Sequence, residues 1–297
     1  MINLPAFAPQ RTSDGSFTFF SEEFGETFHS RYGARAEAEQ TYCQACGLPE
    51  LAAKQARIIL IDVCYGLGYN SAAALASIWD INPRCQIELW GLELNPKVPQ
   101  SACQNGLLGD WSDPISASLT QLARTGVVQT PHLTARLLYG DARQTITIGV
   151  PEKLQADAIF LDPFSPPKCP QLWSVEFISL VVSHLQPQGR LATYSCAGAV
   201  RSSLQQAGLH IGAIANVGRK APGTLASWDA SLVQPLSPVE QDHLRTKAAI
   251  PYRDPSLRGT AADILARRDQ EKAQSSLEST TRWKKRWFPK GGTALTL

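Results

Sequence analysis

A chain of 297 residues with 43% hydrophobic and 18% charged residues has the composition of a globular protein with one large core or two small ones. No run approaches the roughly 18 apolar residues of a membrane span, and Met1-Ile-Asn-Leu-Pro5 lacks the basic-then-apolar pattern of a signal peptide, so a cytoplasmic protein with no membrane partner is expected. The net charge of +2 is unevenly spread: residues 241–297 hold twelve Lys/Arg against six Asp/Glu, and the preceding residues hold sixteen against twenty. A basic tail on a slightly acidic body suits either a polyanion partner or a solvated surface.

Residues 1–50 read as an N-terminal extension. Phe17-Thr-Phe-Phe20, Phe24 and Glu26-Thr-Phe-His-Ser30 follow the turn former Asp14-Gly15 and predict a strand or hairpin. Arg31 to Leu48 is helix-like, with Gly47 as its stop. Cys43-Gln-Ala-Cys46 is the one Cys-x-x-Cys pair, and no second pair or His spacing follows it. With seven cysteines and no such partner, neither a disulfide framework nor a metal site is expected.

Residues 51–230 carry alternating strands and helices. Arg57 to Val63 is a strand leading into Cys64-Tyr-Gly-Leu-Gly-Tyr-Asn70 and an Ala-rich helix. This is the opening unit of a nucleotide-binding α/β fold, without the third glycine of the dinucleotide fingerprint and without a P-loop Gly-Lys-Ser/Thr. Further strands are predicted at Gln86–Glu93, Thr134–Tyr139, Ala158–Leu161, Arg190–Tyr194, His210–Ala215 and Thr224–Trp228. A helix is predicted from Ser174 to Leu185, then a turn at Pro187-Gln-Gly189. The pattern predicts a mostly parallel, doubly wound, seven-stranded sheet.

Four acids fall at strand ends: Asp62, Glu93, Asp141 and Asp162. Glu93 stands at the spacing where such folds place a ribose-binding carboxylate. Several carboxylates in one crevice suit a nucleoside carrying positive charge, such as S-adenosylmethionine, better than a pyrophosphate. Asp162 closes a buried run and opens a stiff loop holding Pro163, Pro166, Pro167 and Pro170. It either carries chemistry or caps the next helix. Residues 231–297 read as a helical, basic extension ending in Arg282-Trp-Lys-Lys-Arg-Trp287, which suits either RNA contacts or packing of a terminal helix.

Phe160-Leu-Asp-Pro-Phe-Ser-Pro-Pro-Lys168 with Pro170 and Trp173 resembles the F-L-D-G-F-A-P-x-K-x-P-x-x-W signature of the MnmC methyltransferase family. Leu191-Ala-Thr-Tyr-Ser-Cys-Ala-Gly-Ala-Val-Arg201, Leu204 to Gly208, Gly218-Arg-Lys220 and Tyr65-Gly-Leu-Gly-Tyr-Asn70 are similar to further blocks of that family, as is Phe28-His-Ser30 with Glu37. The resemblance covers roughly residues 15–228. It implies a class I, Rossmann-like methyltransferase fold using S-adenosyl-L-methionine, and an acceptor in the anticodon region of tRNA. That acceptor is the exocyclic amine of 5-aminomethyl-(2-thio)uridine at the wobble position, converted to the 5-methylaminomethyl form.

Carried onto this chain, Asp62, Tyr65, Gly66, Gly68 and Asn70 would hold the methionine part of the cofactor, Glu93 the ribose, and Asp141 with Ala142 the adenine. Asp162 would be catalytic, at the target amine. Glu37, Phe164, Lys168, Trp173, Arg219 and Lys220 would bind substrate: Phe164 and Trp173 by stacking, Lys168, Arg219 and Lys220 at phosphates. Trp173 has core packing as its alternative, and Lys168 a solvated position.

The chain departs from the family pattern at Cys64 and Pro163, both of which replace glycine. No second glycine-rich fingerprint follows, so the family's oxidase domain is expected to be missing and the amine to come from a separate enzyme. Rival expectations are an amine methyltransferase on another RNA, on DNA or on a small molecule, given that Asp162-Pro-Phe164 is similar to a D-P-P-[FY] loop, or a non-catalytic RNA-binding protein.

Overall fold

The computed structural model describes residues 7–214 and 222–288. Two short antiparallel pairs lead the chain: β1 (Gln10–Arg11) with β2 (Phe17–Thr18), and β3 (Phe20–Ser21) with β4 (Glu26–Thr27). A helical stretch follows, α-helical over Ala34–Glu37 and π-helical over Ala38–Gln44, and Gly47 at φ 69° turns the chain into helix Leu48–Ala52. The predicted hairpin and the glycine stop are both present.

The central sheet comprises β5 (Arg57–Val63), β6 (Gln86–Glu93), β7 (Val127–Gln129), β8 (Leu133–Tyr139), β9 (Ala156–Leu161), β10 (Leu185–Thr193), β11 (His210–Ile214) and β12 (Gly223–Ser227). Their order is β11-β12-β10-β9-β5-β6-β8-β7. The pairings β8-β6, β6-β5, β5-β9 and β9-β10 are parallel, and β12 runs antiparallel between β10 and β11. Among the described residues the sheet thus has eight strands rather than the expected seven, because β7 adds an antiparallel edge to β8. This strand has three residues, following the turn at Gly126 (φ 74°) that ends helix Asp113–Thr125.

β9 lies at the centre, and all six of its residues are buried. That burial on both faces is what its unbroken apolar run dictates. The strand begins two residues earlier than predicted and takes in Asp157, whose buried carboxylate accepts the Ile59 amide at 2.7 Å. The expected turn at Pro187-Gln-Gly189 is instead part of β10, which carries a register shift between Leu185 and Arg190 against β9. Ser174 caps helix Val175–Val182, its hydroxyl accepting the Phe177 amide at 3.2 Å.

Helices cover both faces, and two buried clusters meet the sheet, one including Tyr42, Tyr69, Leu75 and Phe160, the other Ile61, Ile159, Trp173 and Phe177. The C-terminal segment packs onto this body. Tyr252 bridges Ser174, Glu240 pairs with Arg201 at 2.8 Å, and Arg143 pairs with Asp254 at 2.8 Å. At the start of the extension expected to be helical, Pro238–His243 is a short helix and Lys247–Ala249 a 3-10 turn. Helices Ala261–Gln274 and Thr280–Trp287 follow. Among the described residues no helix is long and apolar enough to cross a membrane.

Candidate active site

The parallel strands end along one edge, and the loops after β5, β6, β8 and β9 surround a cleft there. The loop after β5 turns sharply: Cys64, Gly66 and Gly68 have φ of 67°, 58° and 88°. Glycine adopts such angles without strain, whereas Cys64 carries a Cβ into the left-handed region. The Gly66 amide donates to Glu93 Oε2 and the Asn95 amide to Glu93 Oε1, each at 2.9 Å. Burial pushes the Glu93 carboxyl up, and these backbone donors pull against that shift. A carboxylate so held presents its remaining lone pairs in a fixed direction, which suits a pair of ribose hydroxyls.

The cleft, about 210 Å³, is lined by Cys64, Gly66, Glu93, Asp141, Ala142, Asp162 and Phe164 together with apolar Leu92, Leu94 and Val98. Asp62, Tyr65, Gly68 and Asn70 stand behind this wall. Asp62 is fully buried, accepts the Ser71 hydroxyl at 2.7 Å, and has its carboxyl pushed up to about 7 by burial. The Tyr65 ring turns inward; a Cβ on Gly68 would come within 2.7 Å of its hydroxyl and one on Gly91 within 3.0 Å of its ring. Asn70 Nδ2 donates to Asp162 Oδ2 at 2.9 Å. Asp141 caps helix Ala142–Gly149 and is gripped by Arg143, Nη2 to Oδ2 at 2.6 Å.

A second cavity opens on the outer side of Asp162. Phe28, His29, Asp162 and Phe164 line both spaces, and Glu37, Glu26, Arg31 and Tyr194 belong to the outer one. Glu37 is buried and accepts the Ser30 amide at 3.3 Å. The N-terminal hairpin roofs this junction. Phe24 stacks on Phe164 with ring centroids 4.2 Å apart, Phe28 meets Phe164 edge-on at 4.9 Å, and Glu26 accepts the Ser165 amide at 3.1 Å.

Trp173 requires a correction. It is fully buried, and its indole N–H donates to the Phe164 carbonyl at 2.9 Å, so it braces the loop from within and has no face open for stacking. Lys168 is exposed, with its ammonium beside Gly25 of the hairpin. Arg219 and Lys220 lie outside the described residues. Cys43 and Cys46 are buried, and among the described residues no group of His, Cys, Asp and Glu is arranged to hold a metal. Sequence reasoning missed Phe24, Glu26 and His29 as wall residues and Arg143 as the partner of Asp141; the aromatic density of the hairpin was the signal for the first three.

A family described as S-adenosyl-L-methionine-dependent methyltransferase matches residues 107–229. The fold superposes on the crystal structure of MnmC2 from Aquifex aeolicus with a TM-score of 0.79 at 31% identity, covering 92% of this chain and 87% of that one. The tRNA 5-methylaminomethyl-2-thiouridine biosynthesis bifunctional protein MnmC of Paracidovorax citrulli is 31% identical over 239 residues, 74% of this chain and 36% of that protein. An uncharacterized protein of Methanocaldococcus jannaschii is 28% identical over 266 residues, 88% of this chain and 71% of that one. The chain spans about a third of the length of the curated MnmC proteins it matches. Sequence blocks, strand order and whole-chain superposition agree: the chain belongs to the MnmC-like family of methyltransferases and uses S-adenosyl-L-methionine.

Proposed function

We propose that this methyltransferase acts on the primary amine of 5-aminomethyl-(2-thio)uridine at the wobble position of tRNA, giving the 5-methylaminomethyl form. The observation that carries this reading is the position of Asp162. Its carboxylate stands at the junction of two cavities, one with the features of a nucleoside cofactor site and one opening outward beneath an aromatic roof. The names of the relatives support this substrate, and a carboxylate between two cavities supports an amine beside it.

The inner cleft fits S-adenosylmethionine. Glu93 suits the ribose, apolar Leu94 and Val98 suit the adenine faces, and Asp141 and Asp162 suit positive charge. Asn70 Oδ1 is buried without a hydrogen-bond partner among the described residues, an acceptor left for the methionine ammonium or for bound water. When bound, the cofactor supplies a methyl group on a sulfonium, open to displacement by a neutral amine.

The chain's own groups make the amine neutral and hold it in place. An alkyl amine enters protonated near pH 7, and the Asp162 carboxylate pairs with that ammonium. The same carboxylate accepts the departing proton and passes it outward. Phe164 and Phe28 close over the junction and exclude water, and the part of the Phe164 ring that Phe24 and Phe28 leave uncovered offers a contact for a uracil extruded from its stack. Glu37 adds a second carboxylate to the outer cavity, favouring a cationic group over an anionic one. Catalysis otherwise rests on positioning.

Transfer of labelled methyl to tRNA lacking the terminal methyl, followed by nucleoside analysis, tests this reading. The expected product is 5-methylaminomethyl-uridine or its 2-thio form. Tight cofactor binding with no label in tRNA would overturn the substrate and leave the family unchanged.

A further inference from the structure

Asp141, on the cleft wall, is not held by the cleft alone. Arg143 lies over it, with Nε 3.1 Å from both carboxylate oxygens and Nη2 2.6 Å from Oδ2. The other arm of the same guanidinium points away from the cleft. Arg143 Nη1 donates to Asp254 Oδ2 at 2.8 Å and to the Gly259 carbonyl at 2.9 Å. Asp254 is 3% exposed and is itself fixed: its amide donates to Glu176 Oε2 at 2.7 Å, and its Oδ1 accepts the Gly259 amide at 2.9 Å. One planar cation therefore joins a cofactor-cleft carboxylate to a carboxylate of the C-terminal segment.

We propose that Arg143 is a positioning residue for the cofactor, and that Asp254 and its loop hold Arg143 in place, so that the C-terminal segment is part of the cofactor site. Burying a second carboxylate is costly unless its partner needs it. A lone Arg143–Asp141 pair two residues apart would be free to swing on the helix end. The fork of Arg143, occupied on both sides, fixes the torsion of Asp141 and the direction of its remaining lone pairs. It also leaves the trio with one net negative charge beside the cleft, the sign that a cationic nucleoside favours.

This inference rests on reading the cleft as the S-adenosylmethionine site. Four single variants of the full chain separate the two: Arg143→Lys, Asp254→Asn, Asp141→Asn and Glu93→Gln. Each is measured for S-adenosylhomocysteine affinity by calorimetry, for KM and kcat, and for thermal midpoint. Arg143→Lys keeps the charge and loses the fork. It is expected to raise KM and Kd roughly tenfold with kcat little changed, and Asp254→Asn, which touches nothing in the cleft, to move them the same way. A merely structural pair would lower the thermal midpoint or the active fraction while leaving KM and Kd in place. That result, with Asp141→Asn and Glu93→Gln still weakening binding, overturns the positioning role alone. If Asp141→Asn and Glu93→Gln also bind the ligand as the parent does, the cleft assignment falls and the inference with it.

Discussion

Asn70 Nδ2 lies 2.9 Å from Asp162 Oδ2, so the helix that follows the glycine loop is tied directly to the end of β9. The two residues are 92 positions apart and follow the adjacent parallel strands β5 and β9. The bond aims the Asp162 carboxylate at the junction of the two cavities. Asp162→Asn keeps an oxygen for Asn70 and loses the charge and the basicity. S-adenosylhomocysteine affinity is expected to stay close to that of the parent, while methyl transfer falls by about 10²–10⁴. Substantial turnover by the Asn variant, measured with saturating cofactor, would remove Asp162 from its role.

Asp62 gives a dependence on pH. Burial lifts its carboxyl from 3.8 to about 7, with the Ser71 hydroxyl opposing and Glu93 adding to the rise. The folded chain therefore holds this proton more tightly than the unfolded chain does. The stabilisation is fully present below about pH 4 and is lost as pH rises through about 7. Asp62→Asn removes the proton and with it the slope. Denaturant midpoints of parent and variant should converge near pH 4 and separate by pH 8, the variant being the more stable by about 2–4 kcal/mol. Parallel profiles across that window would contradict the assignment.

Cys64 occupies a backbone conformation that costs a residue with a Cβ about 1–2 kcal/mol. Cys64→Gly relieves that strain and is expected to raise or hold stability despite the extra freedom of the unfolded chain. Cys64→Val places a branched side chain at the same φ of 67° and should lower stability by more than about 1 kcal/mol. Equal midpoints for the two variants would show that the loop relaxes.

Helix Thr280–Trp287 separates packing from charge. Trp283 is buried against His243, with ring centroids 4.5 Å apart, and Trp287 Nε1 donates to Asp242 Oδ2 at 2.6 Å. Arg282, Lys284 and Lys285 point outward, and among the described residues none has an acidic partner. Replacing these three with Ala should weaken tRNA binding without changing the thermal midpoint, and should reduce the dependence of log K on log salt by roughly one unit per lost phosphate contact. An unaltered salt slope would mark the face as solvated surface.

The parallel strands were legible because burial on both faces writes them as continuous apolar runs; Arg57–Val63 and Gln86–Glu93 match their predicted limits. Asp162 was legible for the same reason, being the acid at which such a run stops. β7 escaped notice because three residues beside a turn carry too little pattern, and the first half of β10 because Pro187 and Gly189 signal a turn that sheet pairing overrode. Trp173 was ambiguous from sequence: a tryptophan in a substrate loop can face either way, and the depth of the pocket behind the loop decided it. The bond from Arg143 to Asp254 spans 111 positions, and no local spacing announces it.

The roof over the active site joins segments made far apart in time. Glu26 and Ser165 are 139 positions apart, and the Phe24–Phe164 stack spans a similar interval. During synthesis Phe24 and Phe28 emerge while their partner loop is still unmade, and β10 must follow before that loop is bedded. Contacts of such separation form late, because loop closure precedes any reward from pairing. The nascent chain therefore exposes the aromatic side chains of this hairpin until the loop after β9 has been made.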